Sequence, residues 1–494
     1  MQKEITALEE NNTWTLVHLP HGKRIVDSKW VYKIKYKPNG DVERYKARLV
    51  ARGFTQIEGV DFHETFAPVA KLVTVRCMLA VAAKRNWIVH QLDVNNAFLH
   101  GDLSEDVYMR IPQGFAKSGD TRVCKLQKSL YGLRQASRNW YHKFTQALQD
   151  IGFRQSRADH SLFIFQNGHI NTYALIYVDD VLLAGDDISH ISTVKNYLDT
   201  KFSIKDLGKL KYFLGIEVAR SPDGFVLSQR KYTLDILEES GLLAGRPSTF
   251  PMEQNLKLRP DDDSPPVDAS SYRRLIGRLL YLTVTRPDIV YAVSQLSQFL
   301  NSPRQTHLNA AIRVLRYLKH TPGQGIFLSS TNDLTLKGYC DADWAGCPFT
   351  RRSSTGYFIT IGGSPVSWRT KKQSVVSRSS AEAEYRAMAV TVSEIVWLRW
   401  LLQDLTVNHN SPTPLYCDNQ AARHIALNPV FHERTKHVEM DCYFVRERVA
   451  RNEIQPLFIS TSNQVADIFT KALGTDRFQF LRSKLGVRNL HTPS

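Results

Sequence analysis

Two adjacent carboxylates, Asp179 and Asp180, stand between the apolar runs Tyr173 to Val178 and Val181 to Ala184. That pattern predicts a tight hairpin with acid at its tip. Hairpin tips favour Asn-Gly or Asp-Gly, and paired like charges there repel. The pair is therefore either a solvated acidic turn or part of a site where a cation is shared with a third ligand. Asp93 supplies a third ligand, because it ends another apolar run, Ile88 to Val94, where a carboxylate is costly to bury unless it meets a metal or a partner. Three carboxylates suit two Mg²⁺ ions, which take oxygen ligands and share substrate phosphates in phosphoryl transfer.

A second acidic set follows. Asp341, with Asp343 beside it, ends the alternating run LTLKGYCDAD; Glu384 lies in a long helix opened by Ser379; Asp418 ends the strand PLYCD; Asp467 lies in the helix NQVADIFTKAL. Singly, each is an ordinary turn or helix-end acid. Together, separate elements each deliver one carboxylate, which is what a two-metal nuclease requires. Ser379-x-x-Glu382 fits a capping box, so Glu382 already has a structural task and Glu384 is the expected ligand.

The elements that must carry these acids belong to a chain of 494 residues, 43% apolar and 23% charged, enough for two to four domains. A net charge of +16 indicates a polyanionic partner, nucleic acid ahead of an acidic membrane. No stretch approaches the roughly 18 unbroken apolar residues of a membrane span, and MQKEITALEENNTW has no apolar signal core. No membrane partner is expected. Cys77, Cys124, Cys340, Cys347, Cys417 and Cys442 form no C-x-x-C, which argues for a reducing compartment without disulfides or structural zinc. His432 and His437 are read as structural or nucleic-acid-facing.

Lys33, Lys35 and Lys37 alternate with Tyr32, Ile34 and Tyr36; Pro38-Asn39-Gly40-Asp41 signals a turn; Arg44, Lys46 and Arg48 repeat the alternation. The result is a hairpin with one basic face, either solvated or neutralised by phosphate. Residues 54–69 read as loop and 76–87 as helix. Leu126 to Phe144 opens as a loop at Gly132 and becomes a helix with Trp140, Phe144 and Leu148 on one face. Its Arg134 and Arg138 are one turn apart, facing phosphate or salt-bridged. Residues 191–202 read as an amphipathic helix and YFLGIEV, 212–218, as a strand. Pro, Ser and Asp crowd residues 245–270, the clearest linker, and 272–318 is mainly helical.

QLDVNNAFLHGDL, SLYGLRQASRNWY, YVDD and YFLGIEV resemble polymerase motifs A, B, C and E of a copia-type LTR retrotransposon reverse transcriptase. The segments around Asp341, Glu384, Asp418 and Asp467 resemble its RNase H module. The resemblance implies an α+β and α/β multidomain protein: a right-hand polymerase of fingers, palm and thumb followed by an RNase H-like domain. Fingers and palm would occupy 1–245, a linker 246–270, a helical thumb or connection 271–330, the RNase H-like domain 331–475 and a tail 476–494.

By the same resemblance Asp93 and Asp179 would bind both catalytic ions with Asp180 in support, and Asp341, Glu384, Asp418 and Asp467 would bind the second pair. The ions would be Mg²⁺ or Mn²⁺, two per site. Lys46, Arg48 and Gly132 would meet the nucleotide. Phe98, five residues after Asp93, would be the steric gate against a 2′-hydroxyl, or else a plain core residue. Tyr212, Phe213, Leu214 and Gly215 would form the primer grip. The implied activity is RNA- and DNA-directed DNA synthesis with cleavage of RNA in RNA:DNA hybrids. The implied partners are an RNA template, a DNA primer, the hybrid and dNTPs, with a gag-type particle and an integrase encoded elsewhere. The setting would be cytoplasmic, in virus-like particles, with nuclear entry. The alternative is a retrotransposon relic that binds nucleic acid without catalysis; the intact set of seven carboxylates argues against it. The family carries a protease and an integrase upstream, and no such motif precedes Gln2. The chain is therefore expected to be a processed piece, a truncated copy or part of a longer gene.

Overall fold

The structure is a computed structural model that describes residues 1–36, 41–428 and 439–489. The expected turn at Pro38-Asn39-Gly40, Lys37 before it, and His432 and His437 lie outside the described residues. The chain packs as two compact units, Met1–Ala70 with Ile88–Lys209, and Lys71–Trp87 with Leu210–Ser494.

The first unit is built on a six-stranded antiparallel sheet. Its order is Ile204–Lys209, Ile88–Val94, Asp180–Gly185, Ile170–Tyr177, Leu162–Asn167 and Arg154–Gln155. Period-two alternation sends Leu92, Val94, Val181 and Leu183 into one core, where the helices Ala136–Asp150 and Ile188–Lys201 cover them with Trp140, Phe144, Ile191 and Leu198. The basic hairpin, Ser28–Tyr36 and Val42–Ala51, is a separate two-stranded sheet. A four-stranded sheet and the helix Gln2–Glu10 complete the unit.

The helix predicted over 76–87 runs Leu72–Lys84 and belongs to the second unit. Every residue from Thr74 to Ala83 is buried, as its almost unbroken apolar sequence requires of a helix covered on all sides. Its one buried cation, Arg76, donates to the carbonyls of Val366 and Val284, each at 2.8 Å, and stacks on Trp368.

The second unit has two five-stranded sheets with the helices Ala269–Leu282, Val290–Leu296 and Gln305–His320. One sheet is antiparallel throughout. The other is mixed, in the order Ser364–Lys372, Ser354–Ile361, Leu336–Asp343, Thr413–Cys417 and Ile454–Phe458. Its first three strands are antiparallel, and the last two run parallel to Leu336–Asp343. The long helix Ser380–Asp404 packs on this sheet. Residues 246–268 form no helix and no longer strand, although Met252 and Leu258 are buried. No helix is long and apolar enough to cross a membrane among the described residues.

Two local readings are corrected. YFLGIEV is not one strand: Phe213 pairs with Ile216 and Tyr212 with Glu217, so Leu214 and Gly215, with φ of 49° and 73°, form a two-residue hairpin turn. NQVADIF forms a short 3₁₀ helix, Val465–Phe469, and Gln464 caps it by accepting from the Ala466 amide.

Candidate active sites

In the first unit, Asp180 pairs directly across from Asp93 on neighbouring antiparallel strands, and the Val94 amide donates to the Asp179 carbonyl at 2.9 Å. Residues opposite one another share a face, so the two side chains converge. On its other flank Asp93 faces Lys205. Gln91, two residues before Asp93 on the same face, donates to Asp180 Oδ1 at 3.1 Å. Burial pushes the Asp180 carboxyl upward, Gln91 opposes this, and Asp179 and Asp93 add to it. Among the described residues none of the three forms an ion pair with Lys or Arg. Converging carboxylates that no Lys or Arg pairs with among the described residues fit a divalent ion.

The turn that aims Asp179 is strained. Val178 has a φ of 57°, a conformation rare for a β-branched residue. Trp140 Nε1 donates to its carbonyl at 2.7 Å. Phe98 is half-buried and borders a cavity of about 370 Å³ with Trp140, Ile176 and Val178. Its ring meets Tyr131 edge-on, with centroids 5.0 Å apart.

Tyr131 was not singled out from sequence, yet it links the expected nucleotide contacts to the acids. The Arg48 guanidinium lies 4.4 Å over its ring, and both Asp179 and Asp93 raise its hydroxyl, after burial as the main cause. Lys33 faces Lys46 and Lys35 faces Arg44 across the basic hairpin, and burial with Arg48 and Arg44 lowers the Lys46 ammonium. Like charges directly opposite are destabilising, so this face suits an anion. Gly132 stands against the hairpin's return strand: a Cβ there would meet the Ala51 carbonyl at 2.1 Å. Close packing accounts for this glycine. Arg134 precedes its helix and donates to the Gly53 carbonyl, and Arg138 pairs with Glu64 at 2.9 Å, the salt-bridged option. The hairpin Tyr212 to Glu217 belongs to the second unit, and Tyr281 bonds the Leu214 carbonyl.

In the second unit the four predicted acids converge. Ligand atoms of Asp341, Asp418 and Asp467 lie within 4.8 Å of one another, as do those of Glu384, Cys417 and Asp418. Asp418 is common to both sets. Gly356 explains how Asp467 reaches Asp341. It pairs with Asp341 across the sheet, and a Cβ there would meet Thr470 Cγ2 at 2.6 Å, so its bare backbone admits the segment carrying Asp467. Asp341 is almost fully buried; burial pushes it up to about 6, opposed by Lys471 and reinforced by Asp467. Burial and Asp341 drive Glu384 well upward.

Glu382 has structural partners, though not the full capping box expected. The Ser379 hydroxyl accepts from the Glu382 amide at 3.2 Å, and Glu382 accepts from the Arg378 amide at 2.7 Å and pairs with Arg386 at 3.0 Å. The reciprocal bond therefore goes one residue before the cap. Cations inside the cluster were missed. Lys471 Nζ lies 3.3 Å from Asp341 and 3.0 Å from Asp467, and Arg477 lies 3.2 Å from Asp467. The two aspartates raise the Lys471 ammonium despite its burial. Its position four residues after Asp467, in a stretch whose sequence reads as helix, was the available signal. The oxygen-rich set fits a hard divalent cation, with Glu384 and Asp418 free of Lys and Arg among the described residues.

Residues 11–254 match the family described as reverse transcriptase (RNA-dependent DNA polymerase). The chain is 46% identical over 489 residues to the retrovirus-related Pol polyprotein from transposon RE1 of Arabidopsis thaliana, covering 99% of this chain and 33% of that one. It is 39% identical over 501 residues to the Pol polyprotein from transposon TNT 1-94 of Nicotiana tabacum, of which it spans 38%. A transposon Ty5-1 protein of Saccharomyces cerevisiae is 36% identical over 313 residues and is covered completely. The chain thus spans about a third of the long polyproteins it resembles. A solved foamy viral protease-reverse transcriptase, in complex with double-stranded DNA, matches with a TM-score of 0.51 at 10% identity, over 93% of this chain and 69% of that one. At that identity the likeness speaks for the fold alone; with the mixed five-stranded sheet under the long helix Ser380–Asp404, the fold is that of a right-hand polymerase followed by an RNase H-like domain. With that fold and these relatives, the chain belongs to the reverse transcriptase family of copia-type retrotransposon Pol polyproteins.

Proposed function

We propose that the chain is an RNA- and DNA-directed DNA polymerase that also cleaves the RNA strand of RNA:DNA hybrids. The observation that carries the first activity is the pairing of Asp93 with Asp180 beside Asp179, uncompensated by Lys or Arg among the described residues. Asp93 and Asp179 hold the catalytic ions and Asp180 supports them. Bound Mg²⁺ or Mn²⁺, two ions per site, supplies Lewis acidity to the phosphate and to the attacking oxygen. Arg48, held over Tyr131, and Lys46 bind the triphosphate of a dNTP; Phe98 excludes the 2′-hydroxyl; the Tyr212 to Gly215 hairpin grips the DNA primer. Residues 1–245 form the polymerase part, 246–270 a linker, 271–330 a connection and 331–475 the nuclease, followed by a tail.

Asp341, Glu384, Asp418 and Asp467 form the second site. Lys471 and Arg477 hold Asp341 and Asp467 in place by charge. The test is extension of a DNA primer on an RNA template with Mg²⁺, and release of short RNA from a labelled hybrid. Both products are expected. Tight binding of both substrates with neither product would favour the non-catalytic relic instead.

A further inference from the structure

The segment that delivers Asp418 also delivers a sulfur. Alternation along Thr413–Cys417 buries Thr413, Leu415 and Cys417 on one face. Asn419 then caps the next helix by accepting from the Ala422 amide at 2.9 Å, so Asp418 is fixed between a strand end and a helix start. Cys417 is fully buried, with Sγ 3.9 Å from Glu384 Oε2 and 3.8 Å from the Asn419 carbonyl. Glu384 itself is only 6% exposed. It has no Lys or Arg partner among the described residues, and the one side chain bonded to it there is the Cys417 thiol, a weak donor. A buried carboxylate left so poorly compensated is a place for a cation.

We propose that Cys417, Glu384 and Asp418 form a binding site for a zinc ion, and that zinc held there shuts off hybrid cleavage by taking two of the carboxylates that Mg²⁺ needs. Ligand atoms of all three residues lie within 4.8 Å of one another. Zinc sits about 2.3 Å from a thiolate sulfur and about 2.0–2.2 Å from a carboxylate oxygen, so two such tetrahedral ligands stand roughly 3.6 Å apart. The sulfur and oxygen here are 3.9 Å apart. Sulfur decides which ion is favoured: a thiolate selects zinc, whereas Mg²⁺ prefers oxygen ligands and keeps several waters. As the ion enters, the thiol proton passes to solvent, and water fills the fourth position. Asp418 also belongs to the set with Asp341 and Asp467, so the zinc and Mg²⁺ arrangements exclude one another. The neighbouring thiol, Cys340, donates to the Tyr416 carbonyl at 3.7 Å and stands outside the set. In the first unit the one cysteine, Cys124, packs in the core with Ile5 and Leu126, so the polymerase acids have no such sulfur. That zinc silences cleavage rests on the nuclease reading; that zinc binds does not.

The test uses the full chain, reduced and freed of metal, titrated with Co²⁺ as a spectroscopic stand-in for zinc. A thiolate-to-cobalt charge-transfer band should appear, and added Zn²⁺ should bleach it. Cys417→Ser should abolish the band, with Cys417→Ala as a second variant and circular dichroism to show that each is folded. Glu384→Gln, which keeps the thiol, should weaken cobalt binding at least about tenfold. In hybrid cleavage at fixed Mg²⁺, the zinc concentration for half-inhibition should rise on the order of a hundredfold in Cys417→Ser, while the response of primer extension to zinc should match wild type. No band in the wild type, or a band that survives in Cys417→Ser, would overturn the site. Zinc inhibition of cleavage equally strong in wild type and Cys417→Ser would overturn its role as a switch. The band depends on no reaction, so a Cys417-dependent band in a chain that cuts no hybrid would support the metal site while the nuclease reading failed.

Discussion

Trp140 donates its indole N–H to the carbonyl of Val178, at 2.7 Å, and so ties a core helix to the residue immediately before Asp179. Val178 sits at a φ of 57°, a conformation that costs a β-branched residue about 1–3 kcal/mol and persists only when its surroundings enforce it. Trp140→Phe keeps most of the packing and removes the donor. Losing a buried bond of this kind costs about 1–3 kcal/mol, so primer extension should fall on the order of tenfold while hybrid cleavage is unchanged. Steady-state kinetics of both reactions check this; undiminished extension would mean that the turn holds itself.

The two glutamates of the helix Ser380–Asp404 should separate cleanly. Glu382→Gln disturbs a bond to the Arg378 amide and an ion pair with Arg386, and should lower stability by about 1–3 kcal/mol with cleavage retained by the folded fraction. Glu384→Gln should abolish cleavage without loss of stability, because its buried charge has no Lys or Arg partner among the described residues. Denaturant titration beside a hybrid-cleavage assay distinguishes the two, and the opposite assignment would show that Glu382 is the ligand.

Asp341 makes stability pH-dependent in a definite direction. Its carboxyl rises from 3.8 to about 6 on folding, chiefly by burial. Between those values the folded chain holds a proton that the unfolded chain has released, so this group's contribution to stability falls as pH rises through the window and is level above it. Thermal unfolding in EDTA at pH 4.5 to 7 should therefore show wild type losing ground to Asp341→Asn as pH increases. The reverse trend would mean that Lys471 and Thr470, both bonded to Asp341, outweigh its burial.

Much of this arrangement was legible in the residues. Apolar runs marked Ile88–Val94 and the two strands flanking Asp179, and alternation marked Leu336–Asp343, which carries Asp341. What escaped depends on partners distant in sequence. Tyr131 carries no local mark of its place between Arg48 and the acids, and Gly356 matters only because Thr470 lies over it. YFLGIEV misled because Leu214 is an unusual residue for a positive φ, so the turn lacked its usual Asn-Gly signature. The helix Leu72–Lys84 announced its burial by composition, but nothing local told that Val366, Trp368 and Val284 would surround Arg76.

The central claim is that two separate carboxylate sites perform two reactions, and Asp179→Asn tests it most directly. Primer extension on an RNA template and cleavage of an RNA:DNA hybrid should be measured on the same preparation with Mg²⁺. Extension should disappear while cleavage stays within about twofold of wild type, a difference of less than 0.5 kcal/mol. Extension that survives the substitution would contradict the assignment of Asp179, and the loss of both reactions together would contradict the independence of the two sites.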